Sequence, residues 1–346
     1  MTLLLDIKFA LRAAGNVHRK GSHRDIFLFA TPRGGSTWLM EILASQPGIK
    51  FFDEPLSPRR PYASRVGLNG WEQLMPETAD TEWILSFLQA LQRGEFGLLN
   101  PTPFSRNHRF FTDRCVFKIH EIEHLIDTVA RRCDAQVVYL LRHPIATSIS
   151  RNALPRLPLF LTSRHYAQLL GDSADLAEIK HLGETGSHFE KAIVSWCFEN
   201  IEALRYRRFE GLLVTYEELV LNPERSCDLL IEHFSFTDRA AMWNAFERPA
   251  KNIGMSHKQT LDVMHSRDAH ARRLGLVTKW RKRVSPEQIE QAANILRLFK
   301  IDAYRADEDL AQPSYLLFSD TRELLAADGA QYAERPARGQ GELQRT

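Results

Sequence analysis

The sequence has few cysteines, no long apolar run and almost no excess of charge of either sign. Its four cysteines, Cys115, Cys133, Cys197 and Cys227, show no Cys-x-x-Cys spacing, which argues against a zinc knuckle or a disulfide framework and favours reduced thiols in a cytoplasmic protein. The net charge of +2 over 346 residues is too balanced for a general nucleic-acid-binding protein. With 44% hydrophobic and 25% charged residues, the chain has the composition of one large or two modest globular domains.

The first residues also lack the basic-then-apolar order of a signal peptide. Their apolar stretch is interrupted by Asp6, Lys8 and Arg12 and is too short to span a bilayer. We expect residues 1–12 to form a short amphipathic helix. Its apolar face either packs on the domain or makes a weak contact with a membrane surface.

A strand, a tight loop and a helix are predicted over residues 26–43. The apolar run 26–30 precedes a segment, here called the glycine loop, with the sequence Thr31-Pro32-Arg33-Gly34-Gly35-Ser36-Thr37. Glycines let the backbone approach a ligand closely, and the first-turn N–H groups of a helix attract negative charge. The loop therefore predicts an anion site, to which Arg33 adds a positive charge. No lysine follows Gly35 as in G-x-x-x-x-G-K-[ST], which argues against Mg-ATP chemistry.

The glycine loop resembles the first signature of the sulfotransferases that use 3′-phosphoadenosine 5′-phosphosulfate, Pro-[Lys/Arg]-x-Gly-[Ser/Thr]-[Ser/Thr]. Residues 32–38 fit this pattern, with glycine at position 34 where serine is commoner. The resemblance implies that Arg33 helps to neutralise charge at the transferring group and that Trp38 lies near the adenine, although a buried aromatic is an equal alternative for Trp38. It also implies that the 5′-phosphosulfate is cradled by Gly34, Gly35, Ser36 and Thr37.

Two residues compete for the role of general base. A short strand over residues 49–52 leads into Glu54-Pro55-Leu56, which resembles an element of the carbohydrate and tyrosylprotein sulfotransferases and implies that Glu54 is the base. A second strand, 115–119, ends at His120, and Lys118-Ile119-His120 resembles the Lys-x-His of cytosolic sulfotransferases, whose histidine is the base. We favour Glu54 from the sequence, with a shared task as the alternative.

Residues 120–124 also match the zinc-peptidase pattern H-E-x-x-H. On a helix, His120 and His124 would share a face and bind zinc. However, the segment directly follows a β-type run, and no third ligand is evident. We therefore expect no metal and keep a zinc peptidase only as a distant alternative.

The remaining donor-site residues come from three later segments. The buried strand 136–141 delivers Arg142 to the sheet edge where α/β proteins bind ligands, and Pro144 begins a helix through residue 151. The resemblance implies that Arg142 and Ser150 hold the 3′-phosphate and that Tyr216, after the strand 212–215, lies by the nucleotide. It further implies that Arg273 and Gly275, in the basic run 272–283, close over the same phosphate.

The sequence thus predicts an α/β fold with a central parallel sheet flanked by helices, like the P-loop nucleotide kinases. We expect an N-terminal amphipathic segment at 1–22, a sulfotransferase domain at 23–310 with acceptor-site insertions at 57–114 and 153–187, and a partly disordered tail at 311–346. The expected reaction transfers a sulfuryl group from 3′-phosphoadenosine 5′-phosphosulfate to a hydroxyl of a glycan or glycolipid, with 3′,5′-adenosine bisphosphate as product.

Two other classes stay open. A P-loop-type phosphoryl transferase or other nucleotide-binding protein would depend on Mg-ATP, or would bind ATP in preference to 3′,5′-adenosine bisphosphate. A non-catalytic binding module would leave Arg33 and the two candidate bases without a role.

Overall fold

Apolar runs of strand length form a parallel sheet in the computed structural model, which describes residues 2–171, 174–206, 210–249, 269–318 and 321. In chain order the strands are β1 (Val17–His18), β2 (Asp25–Ala30), β3 (Ile49–Asp53), β4 (Phe111–Thr112), β5 (Arg114–Ile119), β6 (Ala135–Leu141) and β7 (Gly211–Thr215). The five longer strands pair in the order β3-β5-β2-β6-β7, all parallel, whereas β1 and β4 form a separate parallel pair. The fold class expected from the sequence is confirmed.

Helices cover both faces of this sheet. They are α1 (Thr2–Ala14), α2 (Ser36–Leu43), α3 (Thr81–Gln92), α4 (Ile126–Arg132), α5 (Pro144–Ser148), α6 (Leu157–Thr162), α7 (Arg164–Leu170), α8 (Ala174–Thr185), α9 (His188–Tyr206), α10 (Tyr216–Leu221), α11 (Pro223–Phe234), α12 (Arg239–Phe246), α13 (Ala269–Thr278) and α14 (Pro286–Leu298). Short 3₁₀ helices at Glu123–Leu125 and Lys279–Arg283 border the site described below. Across the described ranges, no helix is long and apolar enough to cross a membrane.

Alternating side chains of the central strand enter two different cores. Phe27 and Phe29 of β2 belong to the larger core, whereas Ile26 and Leu28 belong to the smaller one on the other face. Phe27 stacks on Phe117 of β5 with the ring centroids 4.3 Å apart. Because a strand has a side-chain period of two, a run that is apolar at every position requires cover on both faces.

One predicted element differs in the structure. The helix predicted from Pro144 through residue 151 ends at Ser148, because the next N–H groups, of Ser150 and Arg151, donate to carbonyls three residues earlier and tighten the chain. The basic run 272–283 lies in α13 and in the 3₁₀ helix that follows it. Most of the predicted tail, residues 319–320 and 322–346, lies outside the described residues.

Candidate active site

Each strand of the main sheet leads into a residue that the sequence analysis selected. Glu54 follows β3, His120 follows β5, Arg33 lies in the glycine loop after β2, Arg142 follows β6, and Tyr216 follows β7. Parallel strands end at one edge of a sheet, so these residues lie along that edge in the order of the strands. The two candidate bases are consequently on one side of the glycine loop, and Arg142 and Tyr216 are on the other.

The glycine loop turns sharply into α2. Arg33 and Gly35 both have positive φ, at 70° and 97°, and the N–H of Gly34 donates to the carbonyl of Thr31 at 3.0 Å. A Cβ at position 35 would lie 2.6 Å from Cδ2 of Tyr216. Glycine is therefore required at position 35 by both its backbone conformation and its close approach to the ring. The turn places the first-turn N–H groups of α2 at the sheet edge, where they are suited to bind an anion.

Glu54 and His120 are in direct contact with each other, and His120 also contacts the glycine loop. Glu54 Oε1 lies 3.3 Å from His120 Nδ1 and 3.0 Å from Lys118 Nζ, and Glu54 Oε2 lies 3.2 Å from Arg60 Nη2. On the opposite edge of the imidazole, His120 Nε2 is 2.8 Å from the hydroxyl of Ser36. The chain Glu54–His120–Ser36 thus connects the end of β3 to the start of α2.

This arrangement sets the ionisation of both candidate bases. Burial alone would raise the pKa of Glu54, but protonated His120, Lys118 and Arg60 together outweigh burial and lower it to about 2. Burial lowers the pKa of His120 to about 3, and Lys118 acts in the same direction. Near neutral pH the imidazole is therefore uncharged, and the carboxylate of Glu54 is ionised and held by the two other cations.

Lys118 is a functional candidate that the sequence analysis quoted but did not assign to the site. Its ammonium group donates to Thr37 Oγ1 at 3.1 Å and pairs with Asp53 and Glu54. It therefore links the glycine loop to the acidic side of the site. A lysine inside an otherwise apolar, buried strand was the available signal, since a buried ammonium group requires partners.

The backbone of His120 is held by buried ionisable groups. Arg156 donates to its carbonyl at 2.6 Å while also forming a two-bond pair with Glu123, at 2.8 and 2.6 Å. The N–H of His120 donates to Glu121 Oε2 at 3.0 Å, and burial raises the pKa of Glu121 to about 8. Arg156 comes from the second predicted insertion, and sequence reasoning missed it because nothing local connects it to His120.

The H-E-x-x-H segment does not form the helix that its zinc-binding interpretation requires. His120 follows β5 directly, Ile122 has positive φ, and only Glu123–Leu125 forms a single 3₁₀ turn. Consecutive helical turns that would align His120 with His124 are thus missing. Within the described ranges, no group of three or more His, Cys, Asp or Glu side chains is placed to hold a metal ion.

On the other side of the loop, Arg142 is held above Tyr216. Its guanidinium carbon lies 4.0 Å from the centroid of the Tyr216 ring, and Nη1 donates to the carbonyl of Arg33 at 3.1 Å. Its Nε is buried and has no hydrogen-bond partner among the residues that the structure describes. The turn that presents Arg142 is fixed by Glu217, which accepts a hydrogen bond from the N–H of His143 at 3.0 Å.

Two cations that the sequence analysis did not assign gather near Arg142. Burial lowers the pKa of Lys279 to about 8, with Arg142 and Arg283 lowering it further by repulsion. Arg283 also donates to the carbonyl of Ile149 at 3.1 Å, which places it beside Ser150. The hydroxyl of Ser150 donates to a carbonyl of its own turn at 2.7 Å. This group, Arg142, Ser150, Lys279 and Arg283, is called the basic cluster below.

Arg273 and Gly275 lie within α13. Arg273 pairs with Glu247 at the end of α12, at 3.1 Å, and Arg272 pairs with the same carboxylate at 3.3 Å. The cations whose charges act on Lys279 are Arg142 and Arg283. The part assigned to Arg273 at the 3′-phosphate stays a prediction.

Trp38 is half-buried on the first turn of α2. Its ring makes edge contacts with Tyr216 at 5.8 Å and with Phe246 at 5.6 Å between centroids. The indole is thus part of an aromatic group at the edge of the site. A flat base can stack on such a surface, and the same contacts also satisfy the purely structural interpretation of Trp38.

The sulfotransferase family model matches residues 25–239, which span β2 to the first residue of α12. None of the curated protein sequences matches the chain. Among solved structures, a mouse sulfotransferase, SULT7A1 complexed with PAP, aligns over 94% of this chain and 94% of its own, with 14% identity and a TM-score of 0.40. The sulfotransferase domain of the Synechococcus PCC 7002 olefin synthase aligns over 81% and 98%, with 18% identity and a TM-score of 0.39. A sulfotransferase domain from the curacin biosynthetic pathway aligns over 82% and 99%, with 17% identity and a TM-score of 0.41.

Proposed function

Because the chain belongs to the sulfotransferase family, we propose that it transfers a sulfuryl group from 3′-phosphoadenosine 5′-phosphosulfate to a hydroxyl group. The observation that carries this proposal is the order of groups along the sheet edge. The glycine loop lies between a histidine–carboxylate pair on one side and the basic cluster on the other. A donor with phosphate groups at two separate positions suits this order.

The 5′-phosphosulfate would bind at the glycine loop and the 3′-phosphate at the basic cluster. Burial lowers the pKa of Arg33, and Arg142 lowers it further by repulsion; Arg142 has the same effect on Lys279. A bound polyanion relieves this repulsion between cations, and arginine offers several donors to a phosphate. The buried Nε of Arg142, which has no partner within the described ranges, is a further donor on that side chain.

We propose that His120 and Glu54 act together in the chemical step. When Glu54 accepts a hydrogen bond from Nδ1–H of His120, Nε2 is left as an acceptor, and the acceptor hydroxyl would replace Ser36 there. The oxygen of that hydroxyl forms a bond to sulfur, the bond from sulfur to the bridging oxygen of the donor breaks, and the proton passes to Nε2. Arg33 and Lys118 are the cations suited to stabilise charge on the departing oxygen.

This division of roles modifies the preference for Glu54 drawn from the sequence. Both carboxylate oxygens of Glu54 are already paired with cations, Lys118 and Arg60, whereas Nε2 of His120 faces the glycine loop, where the reacting hydroxyl would lie. The same carboxylate can orient His120 and stabilise its protonated form. Glu54 would then be essential without being the proton acceptor.

A glycan or glycolipid is our proposed acceptor class. The support is the Glu54-Pro55-Leu56 segment and the two long insertions, of which the second contributes Arg156 directly behind His120. An acceptor pocket built from the insertions would therefore border the reacting hydroxyl.

The test is transfer of labelled sulfate from 3′-phosphoadenosine 5′-phosphosulfate to a panel of glycans, glycolipids and small alcohols, with no added metal. We expect product with at least one carbohydrate acceptor, and we expect 3′,5′-adenosine bisphosphate to bind more tightly than ATP. Label transfer from γ-labelled Mg-ATP instead would support a phosphoryl transferase. Product formed only with small alcohols would keep the donor assignment and reject the acceptor class.

A further inference from the structure

Exposed apolar side chains are concentrated on one side of the molecule. Of the seven large hydrophobic side chains that are exposed in the described ranges, six belong to α1, the β1–β4 pair and the loop before β4. They are Ile7 (53% exposed), Leu11 (54%), Val17 (39%), Phe104 (91%), Phe110 (50%) and Phe111 (71%). Clustered exposure of this kind marks an interaction surface, whereas single exposed apolar residues are ordinary. We call these six residues the N-terminal patch.

The patch is continuous across the secondary-structure elements. Val17 is paired with Phe111 in the β1–β4 ladder, and its N–H donates to the carbonyl of Phe110 at 2.7 Å. The rings of Phe110 and Phe111 are in edge contact, with centroids 4.9 Å apart. The end of α1 is joined to the same loop, because His108 is hydrogen-bonded to the carbonyl of Gly15 at 2.8 Å.

The fold itself does not use these side chains. The inner face of α1 is anchored by Phe9, which is buried in the larger core beneath the guanidinium of Arg65. Ile7 and Leu11 are one helical turn apart and stay exposed on the same helix. The helix therefore has more apolar surface than its packing requires.

The chain around the patch is predominantly basic, and the adjacent Asp6 is paired with Arg65. Residues 7–24 contain Lys8, Arg12, Arg19, Lys20 and Arg24, and residues 101–112 contain Arg106 and Arg109, with no Asp or Glu in either range. Arg106 and Arg109 also line a cavity of about 270 Å³, whose other charged groups are Arg248 and Glu41. Aromatic rings beside clustered cations are the combination that binds the interface of an anionic bilayer.

We propose that the N-terminal patch docks on a membrane that contains anionic phospholipids. The rings of Phe104, Phe110 and Phe111 would enter the interfacial region, and the surrounding lysines and arginines would contact lipid phosphates. A second copy of the chain is a poorer occupant, since a symmetric contact would bring two basic surfaces together. The strand β4 immediately precedes the start of β5, so the patch lies toward the sheet edge opposite the active site. Membrane binding therefore leaves that site open.

The full-length protein can be tested by cosedimentation with vesicles of phosphatidylcholine alone or phosphatidylcholine mixed with phosphatidylglycerol. We expect binding only to the mixed vesicles and strong weakening in 1 M salt, where the screening length is about 3 Å. The variant with Phe110→Ser and Phe111→Ser should lose most binding. The variant with Lys8→Gln and Arg19→Gln, at two exposed cations beside the patch, should bind about 25-fold more weakly, from about fivefold for each cation.

Leu317→Ser and Arg305→Gln change an exposed apolar residue and an exposed cation outside the patch, and both should bind like the unmodified protein. Sulfuryl transfer to a water-soluble acceptor, or circular dichroism if no acceptor is known, checks that each variant is folded. If the unmodified protein does not bind anionic vesicles, that result alone overturns the proposal. Equal binding by patch and control variants, or a dimer that only the phenylalanine changes dissociate, would also overturn it.

Discussion

Replacing Arg142 with alanine should remove selectivity for the 3′-phosphate of the donor. Two ligands isolate this effect, because 3′,5′-adenosine bisphosphate and adenosine 5′-phosphate differ only in that phosphate. Arg142 also supports the glycine loop through the carbonyl of Arg33 and stacks on Tyr216. Loss of those contacts should weaken the binding of both ligands by the same factor, so it cancels in the ratio of the two affinities.

The remaining difference in binding free energy between the two ligands should equal the contribution of a charge-assisted hydrogen bond to the 3′-phosphate. Such bonds contribute about 1.5 to 3 kcal/mol, which corresponds to about a 10- to 150-fold loss specific to 3′,5′-adenosine bisphosphate. Isothermal titration calorimetry measures both affinities directly. Arg142→Lys keeps the charge but not the planar fork, so it should give an intermediate loss.

Arg305→Ala, at an exposed arginine paired with Asp307 and Glu308, is the matched control and should leave both affinities unchanged. Thermal unfolding of each variant shows whether the fold is intact. If Arg142→Ala weakens the two adenosine phosphates by the same factor, the 3′-phosphate does not bind at this arginine and the donor geometry proposed above is wrong.

Three other predictions concern the pH dependence, the base and the glycine loop. Because the pKa of Lys279 is about 8 and a bound phosphate would raise it, the affinity for 3′,5′-adenosine bisphosphate should fall above pH 8 by up to about tenfold per pH unit. The Lys279→Met variant should bind this ligand more weakly and should not show the pH dependence. An unchanged pH dependence in that variant would reject the assignment of Lys279 to the phosphate. His120→Asn should lower the single-turnover rate of sulfuryl transfer by about 10²- to 10⁴-fold, but should lower it much less for an acceptor that is already ionised at the assay pH. Glu54→Gln should lower the rate with both kinds of acceptor. The reverse pattern would return the base role to Glu54. Gly35→Ala should destabilise the protein by about 1 to 2 kcal/mol from the positive φ alone, and further because the new methyl group would meet the ring of Tyr216. Its melting temperature should therefore be lower than that of Gly67→Ala, where φ is also positive but the added methyl group meets open space. Equal melting temperatures would contradict the contact argument.

Several parts of the site could be predicted from local sequence. Apolar runs marked β2, β3, β5, β6 and β7 because strands buried on both faces need apolar residues at every position. Each run stops at a charged or polar residue, and parallel strands end at one sheet edge. These two facts were enough to place Arg33, Glu54, His120 and Arg142 at a common edge.

The ends of helices were predicted less well. Ser285 and Pro286 correctly marked the start of α14, where the Ser285 hydroxyl caps the N–H of Gln288. The helix from Pro144 was predicted too long, because no residue type marks its end. The chain there tightens near Arg151, whose guanidinium forms a buried pair with Glu199 in α9 at 2.7 and 2.8 Å, a partner that no local pattern indicates.

The sequence alone determined the fold class, the turn of the glycine loop and the strand-end residues, because these depend on short-range patterns of burial and backbone conformation. Only the tertiary structure decided which side chains meet. The contact of Glu54 with His120, the support of His120 by Arg156, and the position of Lys279 near Arg142 all join segments that are far apart in the chain. Such contacts are set by strand order and by the packing of the insertions, and neither leaves a periodic signal in the residues themselves.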